Sequence, residues 1–194
     1  MKNFIQNYIK DSMQTKNALL ENTETIALID TVAKEIIKSY KNSGKILIAG
    51  NGGSAADSQH IAGELVSKFY FDRDALPAIA LTVDTSILTA IGNDYGYEKT
   101  FARQVQALGN KDDIFIGIST SGNSPNVVAA IKEANKKELL SIGLTGKKPC
   151  EMDKICNYCI KVPSCETPKI QECHIMIGHI LCALIEKELF ENKN

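Results

Sequence analysis

The stretch Lys45-Ile-Leu-Ile-Ala-Gly-Asn-Gly-Gly-Ser-Ala55 decides the fold. Lys45 to Ala49 is a short apolar run of strand type, which breaks on Gly50, Gly52 and Gly53 before a helical pattern from Ser54 to Lys68. A buried strand that passes through glycine into a helix opens an α/β unit, in which parallel strands are covered by helices on both faces. Downstream the alternation continues. Further strands are expected at Pro77 to Val83, Asp113 to Ile118, Leu139 to Leu144 and Ile155 to Val162. Helices are expected at Thr85 to Ile91, Glu98 to Leu108, Pro125 to Lys136 and Pro168 to Glu191. Upstream, helical patterns span Lys2 to Leu20 and Thr23 to Lys41, the second with Ile29, Val32, Ile36, Ile37 and Tyr40 on one side and Gly44 as its stop. The expectation is an α/β fold with a five-stranded parallel sheet, helices on both faces, and an N-terminal helical hairpin in front.

A length of 194 residues suits one domain. Within it, residues 1–43 supply helices for oligomer packing and residues 44–194 the α/β core with its C-terminal helix. The N-terminal helices carry no evident chemistry, so their apolar stripes call for the core or a second subunit. Net charge is −1, the pI is about 6.3, and Arg73 and Arg103 are the two arginines, so there is no basic stripe to grip a nucleic acid. The start, Met1-Lys-Asn-Phe4, is not a signal peptide, and no apolar run reaches membrane-spanning length. A cytoplasmic protein is expected. Its six cysteines include Cys156 and Cys159 as a C-x-x-C. On an expected strand from Ile155 to Val162 residues three apart face opposite sides, so these two read as free thiols rather than a zinc knuckle.

Two loops at strand ends are suited to an anion. Gly50-Asn-Gly-Gly-Ser-Ala55 lets backbone N–H groups approach a ligand at a helix start. It also matches the dinucleotide fingerprint G-x-G-x-x-A, but the acidic residue that pattern needs at the next strand end is misplaced: Asp72 and Asp74 come early and Asp84 late. The second loop, Ser119-Thr-Ser-Gly-Asn-Ser-Pro125, packs four hydroxyls into one turn, with Ser124 as the expected N-cap and Pro125 at the first helical position. Capping accounts for Ser124 and leaves Ser119, Thr120 and Ser121 to a phosphate at the positive end of the helix dipole.

Three histidines complete the inventory: His60, His174 and His179. His60 and Glu64 stand four apart on one helix face, while Gln171 and His179 stand eight apart on another, with His174 off that line. On periodicity alone a surface helix pair and a packed histidine remain open readings.

Taken together, Ala49-Gly-Asn-Gly-Gly-Ser-Ala-Ala-Asp57, His60 with Glu64, Ile91-Gly-Asn-Asp-Tyr-Gly96, Gly117-Ile-Ser-Thr-Ser-Gly-Asn-Ser124, Ile170-Gln-Glu172 and His179 closely resemble the phosphoheptose isomerases of the sugar isomerase (SIS) domain family. The likeness spans essentially the whole chain. It implies a flavodoxin-like SIS fold and a homotetramer with active sites between subunits. The implied activity converts D-sedoheptulose 7-phosphate to D-glycero-D-manno-heptose 7-phosphate for the heptose of lipopolysaccharide or capsule. By the same resemblance one zinc per subunit is implied at His60, Glu64, Gln171 and His179. Substrate contacts are implied at Asn51, Gly52, Gly53, Glu64, Asn93, Asp94, Ser119, Thr120, Ser121, Ser124 and Gln171. Glu64 is the expected carbon base and His179 the expected handler of oxygen protons, since an imidazole can give and take protons near neutrality. Thr167-Pro168 departs from relatives that carry an acidic residue there, so that position is unassigned. Eight helical residues separate Gln171 and His179 by roughly 12 Å along one axis, so either Gln171 bends back from the first turn or the two come from different chains; a site at a subunit interface is expected. The rival reading is a non-catalytic SIS module that binds a sugar phosphate and a regulatory protein partner.

Overall fold

The computed structural model describes residues 1–191. Two helices come first, α1 (Lys2–Glu21) and α2 (Thr23–Lys41). Asn22 joins them, and its side chain accepts the Thr25 N–H at 2.9 Å to cap α2. There follow β1 (Ile46–Gly50), α3 (Gly53–Val66), β2 (Ala78–Ala80), α4 (Thr85–Tyr95), a 3-10 turn (Tyr97–Lys99) and α5 (Ala102–Leu108). The chain continues with β3 (Ile114–Ile118), α6 (Pro125–Lys136), β4 (Leu140–Gly146), α7 (Met152–Ile155), β5 (Tyr158–Val162) and α8 (Thr167–Phe190).

All five strands are parallel and lie in the order β2-β1-β3-β4-β5. Strands β1 and β3 are buried throughout because they are central and covered on both sides, which is why their sequences are unbroken apolar runs. Alternate residues feed opposite layers. Ile46 and Ile48 point into a core shared with α2, α3 and α8, whereas Leu47 and Ala49 join Phe115 under α5 and α6. From β1 the chain crosses to β2 on one side, while β3, β4 and β5 continue on the other. The point between β1 and β3 where the direction reverses opens a crevice at the carboxyl ends of the strands.

Helix α1 adds little to either core. Leu19 is its buried residue, while Phe4, Ile5, Ile9 and Met13 are exposed. It is tied to α8 by polar contacts: Lys169, buried, donates to the Tyr8 carbonyl at 3.0 Å, and Ser12 bonds to Glu172.

Five expectations are corrected. Helix α4 passes Ile91 and ends at Gly96, whose φ of +85° suits glycine, so Asn93 and Asp94 lie in a last helical turn rather than a loop. The helix expected from Glu98 splits into the 3-10 turn and α5, with Thr100 Oγ1 bonding back to the Tyr97 carbonyl at 2.8 Å. Strand β2 is three residues long, at the sheet edge. Strand β5 begins at Tyr158, because the Asn157 side chain takes the ladder position beside Ser141, accepting its N–H at 2.8 Å and its hydroxyl at 2.9 Å. Cys156 therefore sits before the strand. Both Cys156 and Cys159 turn their sulfurs to Gly143, where a Cβ would lie 2.9 and 3.3 Å from them, so the two do not face opposite sides as expected. All six thiols are free.

Candidate functional site

Two loops line the crevice at the ends of β1 and β3. The first follows β1 into α3, where Gly52 holds φ +57° and ψ −121° as the residue before the helix. A side chain is disfavoured at that φ, and the position is otherwise open, which leaves room for a ligand against the backbone. Asn51 reaches across to the second loop. Its Nδ2 donates to Asn126 Oδ1 at 2.9 Å, and Asn126 Nδ2 donates to Asn51 Oδ1 at 2.8 Å, a closed amide pair that Tyr97 joins through its hydroxyl at 3.1 Å. Neither Asn126 nor Tyr97 stood out in the sequence. Asn126 is buried in the first turn of α6, and an asparagine following Ser-Pro was its one local signal.

In the second loop Ser119 Oγ lies 2.8 Å from Ser124 Oγ and 3.4 Å from Ser121 Oγ. Three hydroxyls thus gather at the N-terminus of α6. Ser124 occupies the N-cap position, but its side chain makes no cap bond and turns to Ser119 instead, which corrects the expected capping role. The first turn of the helix keeps its positive end facing the loop, with no lysine or arginine between Ser119 and Ser124. The shape is braced from behind: Gly122 has φ +66° and packs against Cys150, and its carbonyl accepts the Met152 N–H at 3.2 Å. Asn123 Oδ1 accepts the Glu151 N–H at 2.8 Å. Such a preformed cluster of donors at a helix start matches a phosphate group.

A second constellation sits where α3 packs on α8. His60 Nε2 is 2.9 Å from Glu64 Oε1 and 3.4 Å from His179 Nε2, and the two imidazoles meet edge to face at 73°. One ligand atom from each of the three residues lies within 4.8 Å of the others. Tetrahedral zinc with bonds of about 2.0–2.1 Å would set its ligands about 3.3–3.4 Å apart, the spacing of the two imidazole nitrogens. Two imidazoles and one carboxylate are also the donor set of many catalytic metal centres. One turn before His60, Asp57 Oδ2 is enclosed without a hydrogen-bond partner; burial pushes this carboxyl up, and the charges of His60 and His179 draw it back in part. Both observations fit a cation held between the helices.

Gln171 stands apart from this triad. Its amide lies against Gly53, where a Cβ would come 2.6 Å from Nε2, so within one chain it belongs to the mouth of the glycine loop. Gly53 precedes His60 by seven helical residues, roughly 10 Å along α3. Asn93 and Asp94, bonded to each other at 2.8 Å, are exposed at the end of α4. His174, off the Gln171–His179 line, is fully buried. Among the described residues no helix is long and apolar enough to cross a membrane.

Comparison with known proteins gives the chain's relatives. The SIS domain family model matches residues 7–146. A phosphoheptose isomerase of Aneurinibacillus thermoaerophilus is 58% identical, over 100% of this chain and 98% of its own. Phosphoheptose isomerase 2 of Campylobacter jejuni is 59% identical, over 98% and 94%. Among solved structures, a phosphoheptose isomerase from Francisella tularensis superposes with a TM-score of 0.90 at 39% identity, covering 95% of this chain and 97% of that one.

Proposed function

This chain belongs to the phosphoheptose isomerase family of SIS-domain proteins, and from that premise we infer that it interconverts D-sedoheptulose 7-phosphate and D-glycero-D-manno-heptose 7-phosphate. The observation that carries the reading is the convergence of His60, Glu64 and His179 within 4.8 Å. A module that only bound sugar phosphates would need the hydroxyl loop but no base and acid aimed at one point.

The substrate phosphate sits among Ser119, Thr120, Ser121 and Ser124 at the start of α6. Asn51, Gly52 and Gly53 line the adjoining wall, and Asn93 and Asp94 bind the sugar. Ketose-to-aldose conversion moves one proton from C1 to C2 and another between the oxygens on those carbons, so one base and one acid suffice. Glu64 takes the C1 proton and returns it at C2. His179 moves the proton between the two oxygens. A zinc ion bound by His60, Glu64, His179 and Gln171 would supply polarisation of the sugar carbonyl.

Gln171 completes the set from a neighbouring subunit. Its distance from the triad within one chain supports this, as do the exposed Phe4, Ile5, Ile9 and Met13 of α1, which a second copy would cover. The assembly is a homotetramer of the cytoplasm whose product serves as the heptose precursor of lipopolysaccharide or capsule.

The test is turnover of sedoheptulose 7-phosphate by the purified protein, before and after chelation and zinc restoration. Turnover lost to the chelator and regained with zinc supports both activity and metal. No turnover, with sugar phosphate still bound, would replace the enzyme by the regulatory module.

A further inference from the structure

Arg73 and Glu186 form an ion pair remote in sequence and almost sealed from solvent. Arg73 Nε lies 3.0 Å from Glu186 Oε2, and the side chains are 2% and 1% exposed. Each partner does more than neutralise the other. Arg73 donates from Nη2 to the Glu64 carbonyl at 2.9 Å and from Nη1 to the Leu65 carbonyl at 2.8 Å, filling acceptors that the end of α3 leaves open. Glu186 gathers three successive N–H groups, those of Phe69 at 2.8 Å, Tyr70 at 2.6 Å and Phe71 at 3.3 Å. The Phe69 ring so placed stands 5.6 Å from the ring of His179.

The pair thus joins three bodies. It grips α3 at Glu64 itself, it fixes the following segment against His179, and it is anchored on α8 two turns beyond His179, on the same face. Between the pair and the glycine loop the two helices also meet through apolar surface, notably Ile61 against Gly178. Apolar contact is non-directional and tolerates sliding; charge-assisted hydrogen bonds are directional and do not. Register matters here, because the triad draws His60 and Glu64 from α3 and His179 from α8. A shift of a fraction of an ångström would spoil the 3.4 Å spacing of the two imidazole nitrogens. Stability alone gives little reason for the pair, since well-packed apolar residues of similar volume serve a core as well as buried charges do.

We propose that Arg73 and Glu186 are positioning residues for the His60–Glu64–His179 metal site, locking α3 against α8 in the register that metal binding needs. The inference rests on the metal reading of the triad given above. The experiment uses the full-length protein freed of metal and titrated with Co2+, following its visible absorption bands, with thermal melting measured alongside. Arg73→Lys keeps the charge but loses the planar fork. The double variant Arg73→Met with Glu186→Leu keeps the volume and avoids an unpaired buried charge. Both are expected to bind Co2+ about 10- to 100-fold more weakly, with shifted bands, as when outer-shell partners of metal ligands are removed. Phosphate binding at the hydroxyl loop should be unchanged. The double variant separates the roles, because a purely structural pair would leave affinity and spectrum at wild-type values whatever the melting temperature. That result would overturn the proposal while leaving the metal site standing. A wild-type protein that binds no Co2+ would overturn both.

Discussion

Acidification from pH 7 to pH 5 should destabilise the fold by about 2 kcal/mol through the single side chain of His174. The ring is fully buried on α8, and neither nitrogen has a hydrogen-bond partner. Burial pushes its pKa from 6.5 down to about 4; the Thr145 backbone opposes this without satisfying either nitrogen. The folded-state value therefore lies below the unfolded one. As pH falls, the unfolded chain takes up its proton first, so the stability is complete above about pH 6.5 and drains away down to about pH 4. The full loss, a shift of about 2.5 units at 1.36 kcal/mol each, is about 3 kcal/mol, of which about 2 falls between pH 7 and pH 5. Urea unfolding followed by circular dichroism, at fixed protomer concentration, measures it in the wild type and in His174→Gln. The variant does not titrate there and should lose that portion of the pH slope, whatever its absolute stability. Asp57, whose carboxyl is raised by burial, contributes with the opposite sign but is common to both proteins and cancels. Glu186 is pushed up by burial and down more strongly by its N–H and Arg73 bonds, so its loss runs from the ordinary carboxylate value downward, below the window, and is common to both proteins. Equal slopes in the two proteins would refute the reasoning.

Replacing the proposed base, Glu64→Gln, should cut turnover by about 10²- to 10⁴-fold while phosphate binding at the hydroxyl loop persists; near-normal turnover would remove Glu64 from that role. Ser121→Ala should chiefly raise KM, since it takes one hydroxyl from the cluster with Ser119 and Ser124, and steady-state kinetics with an unchanged KM would place the phosphate elsewhere. Charges placed on the exposed apolar face of α1, as in Ile5→Glu with Ile9→Glu, should split the proposed tetramer in sedimentation analysis and abolish turnover together; an active monomer would contradict the proposed site shared between subunits.

The parallel sheet was legible because its strands are short apolar runs divided by glycine, a pattern set by burial on both faces. β1 and β3 needed nothing beyond their own residues. Helix α4 was harder: expected to end at Ile91, it runs on to Tyr95, and the positive φ at Gly96 marks the true stop. The start of β5 escaped for a related reason, since the Asn157 side chain mimics a backbone partner, which no propensity records. For the site, the i, i+4 spacing put His60 beside Glu64, and the hydroxyl cluster announced its loop. The meeting with His179, 119 residues from His60, came from resemblance rather than periodicity. The Asn51–Asn126 and Arg73–Glu186 pairs, 75 and 113 residues apart, had no local signature at all, because long-range polar matching depends on the finished packing.

The amide pair between Asn51 and Asn126 has one more effect. It fastens the two walls of the crevice with groups that neither gain nor lose a proton across the working range of an enzyme. A clasp made of a carboxylate and a lysine would loosen in acid, mixing mechanical opening with chemistry in any pH profile. Here the clasp is blind to acidity. This contact therefore adds no titration of its own to the rise and fall of rate with pH.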